Sequence, residues 1–385
     1  MLNHLSVTQI ETITLWYLVQ HSLSSFQKIL HHFGSCEQAT QPNRFAEWQQ
    51  LGLHASHLKR LQEFQTAQGQ QQFAQIVQLI QKHSDFILTP NDIGYPTQLL
   101  PYSDHPPILF GQGQASTLLQ PQIAVVGSRK PSPHGRQMAY DFGYYLSEKG
   151  FYISSGLAHG IDEAAHRGGL AHQRTIAVMG TGLDTIYPAQ HKQLAAEIRQ
   201  SGAIVTEFLP ATLPLAAFFP RRNRIVSGLS LGVLVVEAAL KSGSITTANA
   251  AANQGKMVFA IPGHIYSEHH QGCHQLIREG AILVDHPEQI IEDLALPTQW
   301  QAQQQRVEEP KETVPPPPSL PTHLIELYQI LDWVGQDLDQ LAQRYSASIA
   351  DLTAQLMELE LLGLCIQQGG RYLRCRPMHK TSNIY

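Results

Sequence analysis

Apolar side chains recur three and four positions apart along the first 84 residues of the chain. The pattern is clearest in residues 8–20, 26–33 and 53–67, each of which would form a helix with one apolar face. Gly34 and Ser35 indicate the end of one helix and the start of the next. The sequence therefore predicts a small helical domain over residues 1–84.

From residue 122 to residue 263 the pattern changes, because six short apolar runs alternate with amphipathic stretches. Alternation of strands and helices is typical of a parallel sheet that is covered by helices on both faces. The sequence therefore predicts a Rossmann-like, doubly wound, mostly parallel α/β domain over residues 85–298. The predicted strands are QIAVVG, FYISS, TIAVMG, AIVTEF, LGVLVVEA and MVFAIPG.

The chain changes character again after residue 298. Residues 299–320 are rich in Gln and Pro, with four consecutive prolines, and predict a semi-extended linker. Residues 321–377 contain two or three short amphipathic helices, followed by two strand-like runs on either side of Gly369-Gly370. Helices followed by such a hairpin predict a C-terminal winged-helix domain.

Composition argues against several classes of protein. The 385 residues carry a formal net charge of −5. No apolar run is long enough to span a bilayer, and we expect no signal peptide. The four cysteines form no C-x-x-C pair and the twenty histidines are dispersed, so the sequence predicts neither a disulfide framework nor a metal site. These features fit a cytoplasmic protein.

The residues that follow the predicted strands are candidates for ligand binding, because open α/β sheets bind ligands beyond the carboxyl ends of their strands. Glycine lets backbone N–H groups approach a phosphate, hydroxyls donate hydrogen bonds, and Arg and Lys add positive charge. We therefore expect phosphate binding at this edge. The candidate residues are Ser128, Arg129, Lys130, Gly156, His159, Lys241, Ser244 and Thr246.

Residues 218–230 hold three arginines within four positions, just before the fifth predicted strand. On a helix the first and third arginines share a face, while the second points elsewhere. The surrounding sequence is apolar and poor in acids, so phosphodiesters would satisfy charges that lack obvious protein partners. Phe218 and Phe219 are candidates for base stacking, although core packing is the expected role of at least one. The polar candidates are Arg221, Arg222, Asn223 and Arg224.

The sequence lacks the common nucleotide-binding motifs and offers few candidates for catalysis. The first strand is followed by G-S-R-K-P rather than G-x-G-x-x-G, and no G-x-x-x-x-G-K-S/T occurs, so neither a nicotinamide cofactor nor a Walker-type ATP site is predicted. Asp162 and Glu237 are among the carboxylates at the proposed edge. We expect Asp162 to cap a helix and Glu237 to pair with an arginine of residues 218–230.

Six motifs follow one another along the α/β region: G-S-R, S-G-x-A-x-G-I-D, G-x-G-L-D-x-x-Y-P, P-x-R-N-R-I-x-x-G-L-S, V-V-E-A-x-x-x-S-G-S/T-x-x-T-A-x-x-A and V-x-A-I-P-G. This ordered series resembles the DprA (Smf) family of DNA-processing proteins. The resemblance implies a non-enzymatic Rossmann-like core that binds single-stranded DNA, forms a homodimer and loads the RecA recombinase in natural transformation. It also implies a sterile-alpha-motif-like N-terminal domain and a C-terminal winged helix.

The family's DNA pocket corresponds here to Ser128, Arg129, the S-G-x-A-x-G loop over residues 155–160 and the arginine segment over residues 221–224. Many members have Lys or Arg where this chain has His159. Because an unperturbed histidine is mostly neutral at pH 7, we expect weaker or more pH-dependent DNA binding here.

Two other hypotheses stay open at this point. One is a nucleotide-processing, phosphoribohydrolase-like enzyme of the lysine-decarboxylase-like Rossmann group, although its P-G-G-x-G-T-x-x-E is replaced here by K-S-G-S-I-T-T-A. The other is a small-nucleotide sensor whose winged helix contacts DNA. The partner of the winged helix is also open, since its arginines suit DNA and its many acids suit a protein.

Overall fold

The computed structural model describes residues 5–294, 320–331, 336–345, 347–368 and 370–374. The chain forms two compact units, Met1–Leu296 and Pro297–Tyr385. Of the predicted linker over residues 299–320, only Leu320 belongs to the described residues.

Six helices form the N-terminal segment, and three of them correspond to the three stretches whose apolar spacing predicts a helix. Gly34 ends the second helix in the left-handed conformation (φ 77°), and the Ser35 side chain caps the third, so the predicted boundary is confirmed. Trp16 and Ile29 pack in the same hydrophobic cluster as Phe110 and Ile204 of the sheet. The bounds of a separate helical domain stay a prediction. The helices are α1 Val7–Leu18, α2 Leu23–Phe33, α3 Cys36–Thr40, α4 Phe45–Gln50, α5 Ala55–Phe64 and α6 Ala67–His83.

Nine strands form the central sheet of this unit. They are β1 Phe86–Leu88, β2 Leu109–Gly113, β3 Gln122–Val126, β4 Tyr152–Ser155, β5 Thr175–Val178, β6 Ala203–Thr206, β7 Gly232–Val235, β8 Met257–Ala260 and β9 Ile282–Leu283. Their order across the sheet is β1-β2-β6-β5-β4-β3-β7-β8-β9, and all neighbours from β6 to β9 are parallel. The predicted mostly parallel, doubly wound fold is confirmed.

The strands of the parallel region are apolar because both of their faces are buried. In β3, Ile123 and Val125 face the cluster that contains α7, α8 and α13, whereas Ala124 and Val126 face the cluster of α10, α11 and α12. The helices after the N-terminal segment are α7 Pro133–Glu148, α8 Ile161–Leu170, α9 Lys192–Ser201, α10 Phe218–Leu229, α11 Gly243–Asn253, α12 Gln271–Arg278 and α13 Pro287–Asp293.

The connection between β3 and β7 sets the position of the ligand edge. From β3 the chain runs through β4, β5 and β6 on one side, and then crosses to β7 on the other side of β3. A crevice forms at such a switch point, beyond the carboxyl ends of the two central strands. β1 and β2, which sequence analysis left as an extended Pro-rich stretch, add two antiparallel strands beside β6.

The C-terminal unit is a winged helix, as predicted. Its elements are α14 Ile325–Ile330, β10 Gln336–Asp337, α15 Leu338–Arg344, α16 Ile349–Leu361, β11 Cys365–Gln368 and β12 Arg371–Arg374. β11 and β12 form the predicted antiparallel hairpin, and the short β10 pairs with β12. Leu327, Leu341 and Leu356 are fully buried in its core.

Within the described parts of both units, no helix is both long enough and apolar enough to cross a membrane.

Candidate nucleic-acid interface

The loops that follow β3, β4 and β7 lie against one another at the carboxyl edge of the sheet. The backbone N–H of Ser128 donates to the carbonyl of Glu237 at 2.7 Å, and the Ser128 carbonyl accepts from Ile161 N–H at 3.1 Å. Gly160 has a φ of 83°, and a Cβ there would collide with the backbone of residues 128–129. The structure therefore brings the predicted loops together through their main chains.

The first loop presents two exposed cations, Arg129 and Lys130. The Arg129 guanidinium carbon lies 5.3 Å from the centre of the Phe219 ring, which is a cation–π contact. Ser128 is half-buried, and its Oγ accepts a 3.1 Å hydrogen bond from Lys130 N–H. Because Oγ accepts from the protein, its own hydrogen stays available for an anion.

The arginines of α10 have partners that the sequence did not reveal. Arg221 Nε donates to Glu207 Oε1 at 2.9 Å, and Arg224 Nη2 donates to Glu207 Oε2 at 2.6 Å. Glu207 follows β6 and its side chain is fully buried. Arg224 also lies 3.8 Å from Asp104. The expectation that these arginines lack acidic partners is wrong, because the fold brings the end of β6 to one face of α10.

Aromatic rings complete the surroundings of Arg221. Its guanidinium carbon lies 5.2 Å from the ring centres of both Trp16 and Phe208. Trp16 belongs to α1, and its indole N–H donates to the backbone carbonyl of Glu207 at 2.7 Å. The N-terminal helices thus take part in holding this ion pair.

Arg222 points away from the other two arginines, as the helical spacing predicts, and is only 4% exposed. Its Nη1 donates to the Val178 carbonyl at 2.6 Å, and a Cβ on Gly156 would collide with its guanidinium. Burial lowers the pKa of Arg222 to about 10, although the nearby Asp162 carboxylate opposes that shift. Arg222 is therefore a charge inside the protein, below the second loop.

Asp162 is the buried counterpart of that charge. Its Oδ2 accepts hydrogen bonds from the N–H groups of Gly156 at 3.1 Å and Ala158 at 3.3 Å. Burial raises the pKa of Asp162, while the charge of Arg222 and the two backbone donors act against the shift. The carboxylate holds the preceding loop in place, where we expected a cap on its own helix.

Glu237 also has a structural partner other than the expected arginine. Its carboxylate accepts from Ser132 N–H at 2.9 Å and from Ser132 Oγ at 2.5 Å. Burial raises the pKa of Glu237, and these hydrogen bonds together with His269 oppose the shift. The prediction that Glu237 pairs with an arginine of residues 218–230 is wrong, because Glu237 faces the start of α7.

The start of α11 holds the remaining candidates. Asn223 Nδ2 donates to the Gly243 carbonyl at 3.3 Å and to Thr246 Oγ1 at 3.2 Å. Ser244 is buried and lies 2.7 Å from the hydroxyl of Ser242, the N-cap residue. Lys241 is exposed. The structure thus joins Asn223 and Thr246 in one contact and leaves Lys241 facing solvent.

His159 is exposed at the end of the second loop, and sequence analysis missed its surroundings. Its ring packs edge-on against the buried His191, with ring centres 4.6 Å apart, and Glu163 lies beside both. The three residues come from the loop after β4, the first turn of α8 and the segment before α9. A spacing of four between His159 and Glu163 was the only hint in the sequence.

Comparison with known proteins shows the family to which the chain belongs. The sequence model of the family described as DNA recombination-mediator protein A matches residues 86–295, which include every strand of the central sheet. A model of the DprA winged helix domain matches residues 310–371. The chain belongs to the DprA family.

Relatives within the DprA family cover most of the chain. The Smf protein of Escherichia coli is 43% identical over 287 residues, which are 73% of this chain and 75% of that protein. The Smf protein of Synechocystis is 37% identical and covers 76% of this chain and 81% of its own length. The family assignment therefore does not depend on the sheet alone.

Two solved DprA structures share the fold. DNA processing protein A from Streptococcus pneumoniae superposes with a TM-score of 0.64 at 33% identity, over 76% of this chain and 99% of that one. The protein from Helicobacter pylori, described for its single-stranded DNA binding mode, gives a TM-score of 0.50 at 30% identity, over 55% and 96%.

Proposed function

We propose that this protein binds single-stranded DNA along the carboxyl edge of the central sheet, with Arg129 as the principal phosphate ligand. The observation that carries the proposal is the exposed Arg129 guanidinium, which rests on the Phe219 ring and has no ion pair among the described residues. Lys130 and Lys241 are exposed on the same edge. Cations without carboxylate partners are suited to phosphates.

The twelve candidate residues divide into two roles in this proposal. One set contacts DNA directly through exposed cations, hydroxyls and loop N–H groups. The other set holds the edge in shape, because its charges are already paired or buried. The proposed direct contacts are Ser128, Arg129, Lys130, His159, Lys241 and Thr246. The proposed supporting residues are Gly156, Arg221, Arg222, Asn223, Arg224 and Ser244.

A single strand suits this edge better than a duplex. The exposed cations stand on two loops, Arg129 and Lys130 after β3 and Lys241 after β7, and a flexible backbone can follow them one phosphate at a time. The likeness to the H. pylori protein, described for its single-stranded DNA binding mode, supports the same choice. We propose little base preference, because phosphate contacts carry no sequence information.

Fluorescence anisotropy with single- and double-stranded oligonucleotides at several salt concentrations tests the proposal. We expect tighter binding of the single strand. Arg129→Ala should weaken binding by roughly 5- to 100-fold and reduce the slope of log affinity against log salt by about one. The control is Lys59→Ala, which removes one charge from a side chain of α5 that is 77% exposed. Equal affinity for both forms of DNA, or equal effects of the two variants, would refute it.

We further propose that the bound strand is incoming DNA in natural transformation, which the protein protects and on which it loads the RecA recombinase in the cytoplasm. Support comes from membership of the DprA family. The ATPase rate of RecA on single-stranded DNA measures loading. We expect the protein to shorten the lag before steady ATP hydrolysis, and an unchanged lag would contradict RecA loading.

We propose a homodimer formed through the α/β core. β9 is the edge strand of the sheet, and among the described residues it pairs only with β8. Leu283 on this strand is 50% exposed, within the apolar stretch over residues 281–296. Exposed apolar residues on an edge strand favour association with a second copy. Light scattering at micromolar concentration should give twice the chain mass, and a Leu283→Lys variant should shift toward monomer.

We propose that the protein is not an enzyme. The two carboxylates closest to a catalytic arrangement, Asp162 and Glu237, are held by backbone N–H groups and by Ser132. The protein should therefore not hydrolyse nucleoside monophosphates, ATP or DNA. Turnover that disappears in Glu237→Gln or Asp162→Asn would favour the phosphoribohydrolase-like alternative.

A further inference from the structure

His159, Glu163 and His191 form a compact group beside the second loop. One potential ligand atom from each residue can be chosen so that all three lie within 4.8 Å of one another. Glu163 Oε2 and His191 Nε2 are already 3.3 Å apart. A tetrahedral ion with bonds of about 2.1 Å separates its ligand atoms by roughly 3.4 Å. This pair therefore has the spacing of two ligands on one ion.

His191 is held in the orientation that a metal ligand requires. It is only 4% exposed, and its Nδ1 lies 2.9 Å from the carbonyl of Leu157. A histidine that donates from Nδ1 to a carbonyl keeps the lone pair of Nε2 for a metal, and this outer contact is the usual arrangement in metal sites. Leu157 is itself fully buried and has a φ of 57°.

The two carboxylate oxygens of Glu163 have different partners. Its Oε1 accepts from Arg167 Nε at 3.2 Å and from Nη2 at 3.1 Å, and these contacts orient the carboxylate. Its Oε2 faces His191 instead. One oxygen is thus fixed by the arginine while the other is available as a ligand.

His159 is exposed, and its ring lies edge-on to His191 with a centre separation of 4.6 Å. One of its ring nitrogens already lies within 4.8 Å of a ligand atom of Glu163 and of one of His191. Three protein ligands leave a fourth position open to solvent, as in zinc sites that retain a water molecule.

We propose that His159, Glu163 and His191 bind one divalent transition-metal ion of the Zn²⁺ class at the mouth of the second loop. Two imidazoles and one carboxylate suit Zn²⁺ or Co²⁺, whereas Mg²⁺ and Ca²⁺ prefer oxygen ligands alone. The ion gives the loop a positive charge that a neutral histidine does not provide. Binding is a property of the three residues and does not depend on DNA.

Titration of the chelator-stripped full chain with Co²⁺, followed by competition with Zn²⁺, tests this proposal in the absence of DNA. We expect one ion per chain, visible absorption bands of tetrahedral Co²⁺, and their loss on addition of Zn²⁺. Zn²⁺ should also raise the melting temperature, because it binds only the folded site. A metal concentration of about 100 μM is well above the dissociation constant of a built zinc site. The absence of both Co²⁺ bands and a thermal shift at that concentration would overturn the proposal.

Variants decide whether these residues are the ligands. His159→Ala changes an exposed side chain, so the fold should persist, and Zn²⁺ affinity should fall at least about tenfold. Glu163→Gln should weaken binding as well. The control is His31→Ala, which removes another exposed histidine, on α2, and should leave affinity unchanged. Equal Zn²⁺ binding by His159→Ala and His31→Ala would refute the site.

Discussion

The loop after β3 and the helix α10 both present arginines to one edge of the sheet, but in opposite settings. Arg129 is exposed, rests on an aromatic ring and has no ion pair among the described residues. Arg221 and Arg224 share the buried carboxylate of Glu207, and Arg222 is buried beneath the second loop. Arginine therefore has two roles in this interface. Arg129 is available to a ligand, whereas the arginines of α10 are held by the protein.

The difference teaches that a cluster of arginines does not by itself mark the phosphate ligands. A buried carboxylate and a guanidinium hold each other in place, and removal of either leaves an uncompensated charge in the protein. An exposed guanidinium gains little from the fold and is available to a ligand. Paired measurements of stability and DNA affinity should therefore separate the two regions.

The largest effect is expected for Arg222→Met. This change removes the positive charge that faces Asp162 and leaves the Asp162 carboxylate buried without it. The free energy of unfolding should fall by about 3–5 kcal/mol, measured by urea denaturation. Asp162→Asn in the same chain should recover part of the loss, because it removes the orphaned charge. A melting temperature equal to that of the wild type would contradict the assignment of Arg222 as a supporting residue.

Acid should destabilise the fold through His21 and His166, two histidines that lie near the arginines of α10. Burial, with Arg221 and Arg60 adding to it, lowers the pKa of His21 to about 3; burial, with His191 and Arg222 adding to it, does the same for His166. In the unfolded chain both take up a proton as the pH falls below about 6.5. The fold therefore loses stability from pH 6.5 downward, by roughly 1.4 kcal/mol per pH unit for each histidine.

The test is the free energy of unfolding between pH 7 and pH 5, compared for the wild type and His21→Asn. Asparagine does not titrate in this range and tolerates the positive φ of residue 21. Loss of the hydrogen bond that Leu209 N–H donates to His21 Nε2 lowers stability at every pH and leaves the slope to report protonation. The slope of the free energy of unfolding against pH should be shallower in the variant by the contribution of one histidine, at most about 1.4 kcal/mol per pH unit, whereas the exposed His31→Ala should retain the wild-type slope. Identical slopes in the wild type and His21→Asn would show that His21 does not resist protonation in the folded protein.

Arg221→Ala should lower stability and leave DNA affinity nearly unchanged, which is the reverse of the effect expected for Arg129→Ala. Loss of its hydrogen bond to Glu207 should lower stability by about 1–3 kcal/mol, while Arg224 still compensates part of the carboxylate charge. DNA affinity and its salt dependence should stay close to the wild type, because the charge removed was already paired. A stable variant with weak DNA binding and a reduced salt slope would move Arg221 to the direct contacts.

Most of the fold could be predicted from the sequence, but a smaller part of the candidate site. The six predicted strands are short apolar runs that alternate with amphipathic stretches, so local pattern identifies them. β1 and β2 were missed because they are short and lie in a Pro-rich stretch, and their pairing is long-range: β2 pairs with β6, and β1 pairs with β2. Helix α10 was predicted with the correct faces, because helical spacing fixes them.

Partners that come from distant parts of the chain could not be predicted in the same way. Glu207 reaches Arg221 and Arg224 because β6 and α10 meet at the edge, which depends on the order of strands in the sheet. His191 lies in the segment before α9, 32 positions after His159 in the sequence, and contacts His159 in the fold. Neither contact can be inferred from residues that are close in the sequence. The arginines of α10 have no acidic residue near them in the sequence, but Glu207 lies beside them in the fold.

The smallest expected effect tests how Phe219 contributes to the exposed region. If its ring acts only by holding Arg129, Phe219→Leu should weaken DNA binding by about two- to fivefold, which is the scale of an exposed cation–π contact. The salt slope should not change, because no charge is removed. Anisotropy measurements on Phe219→Leu, Arg129→Ala and the double variant form a complete cycle. Under this interpretation the double variant should bind no more weakly than Arg129→Ala alone. Full additivity of the two losses would show instead that Phe219 contacts a base directly, and that the two side chains are separate contacts.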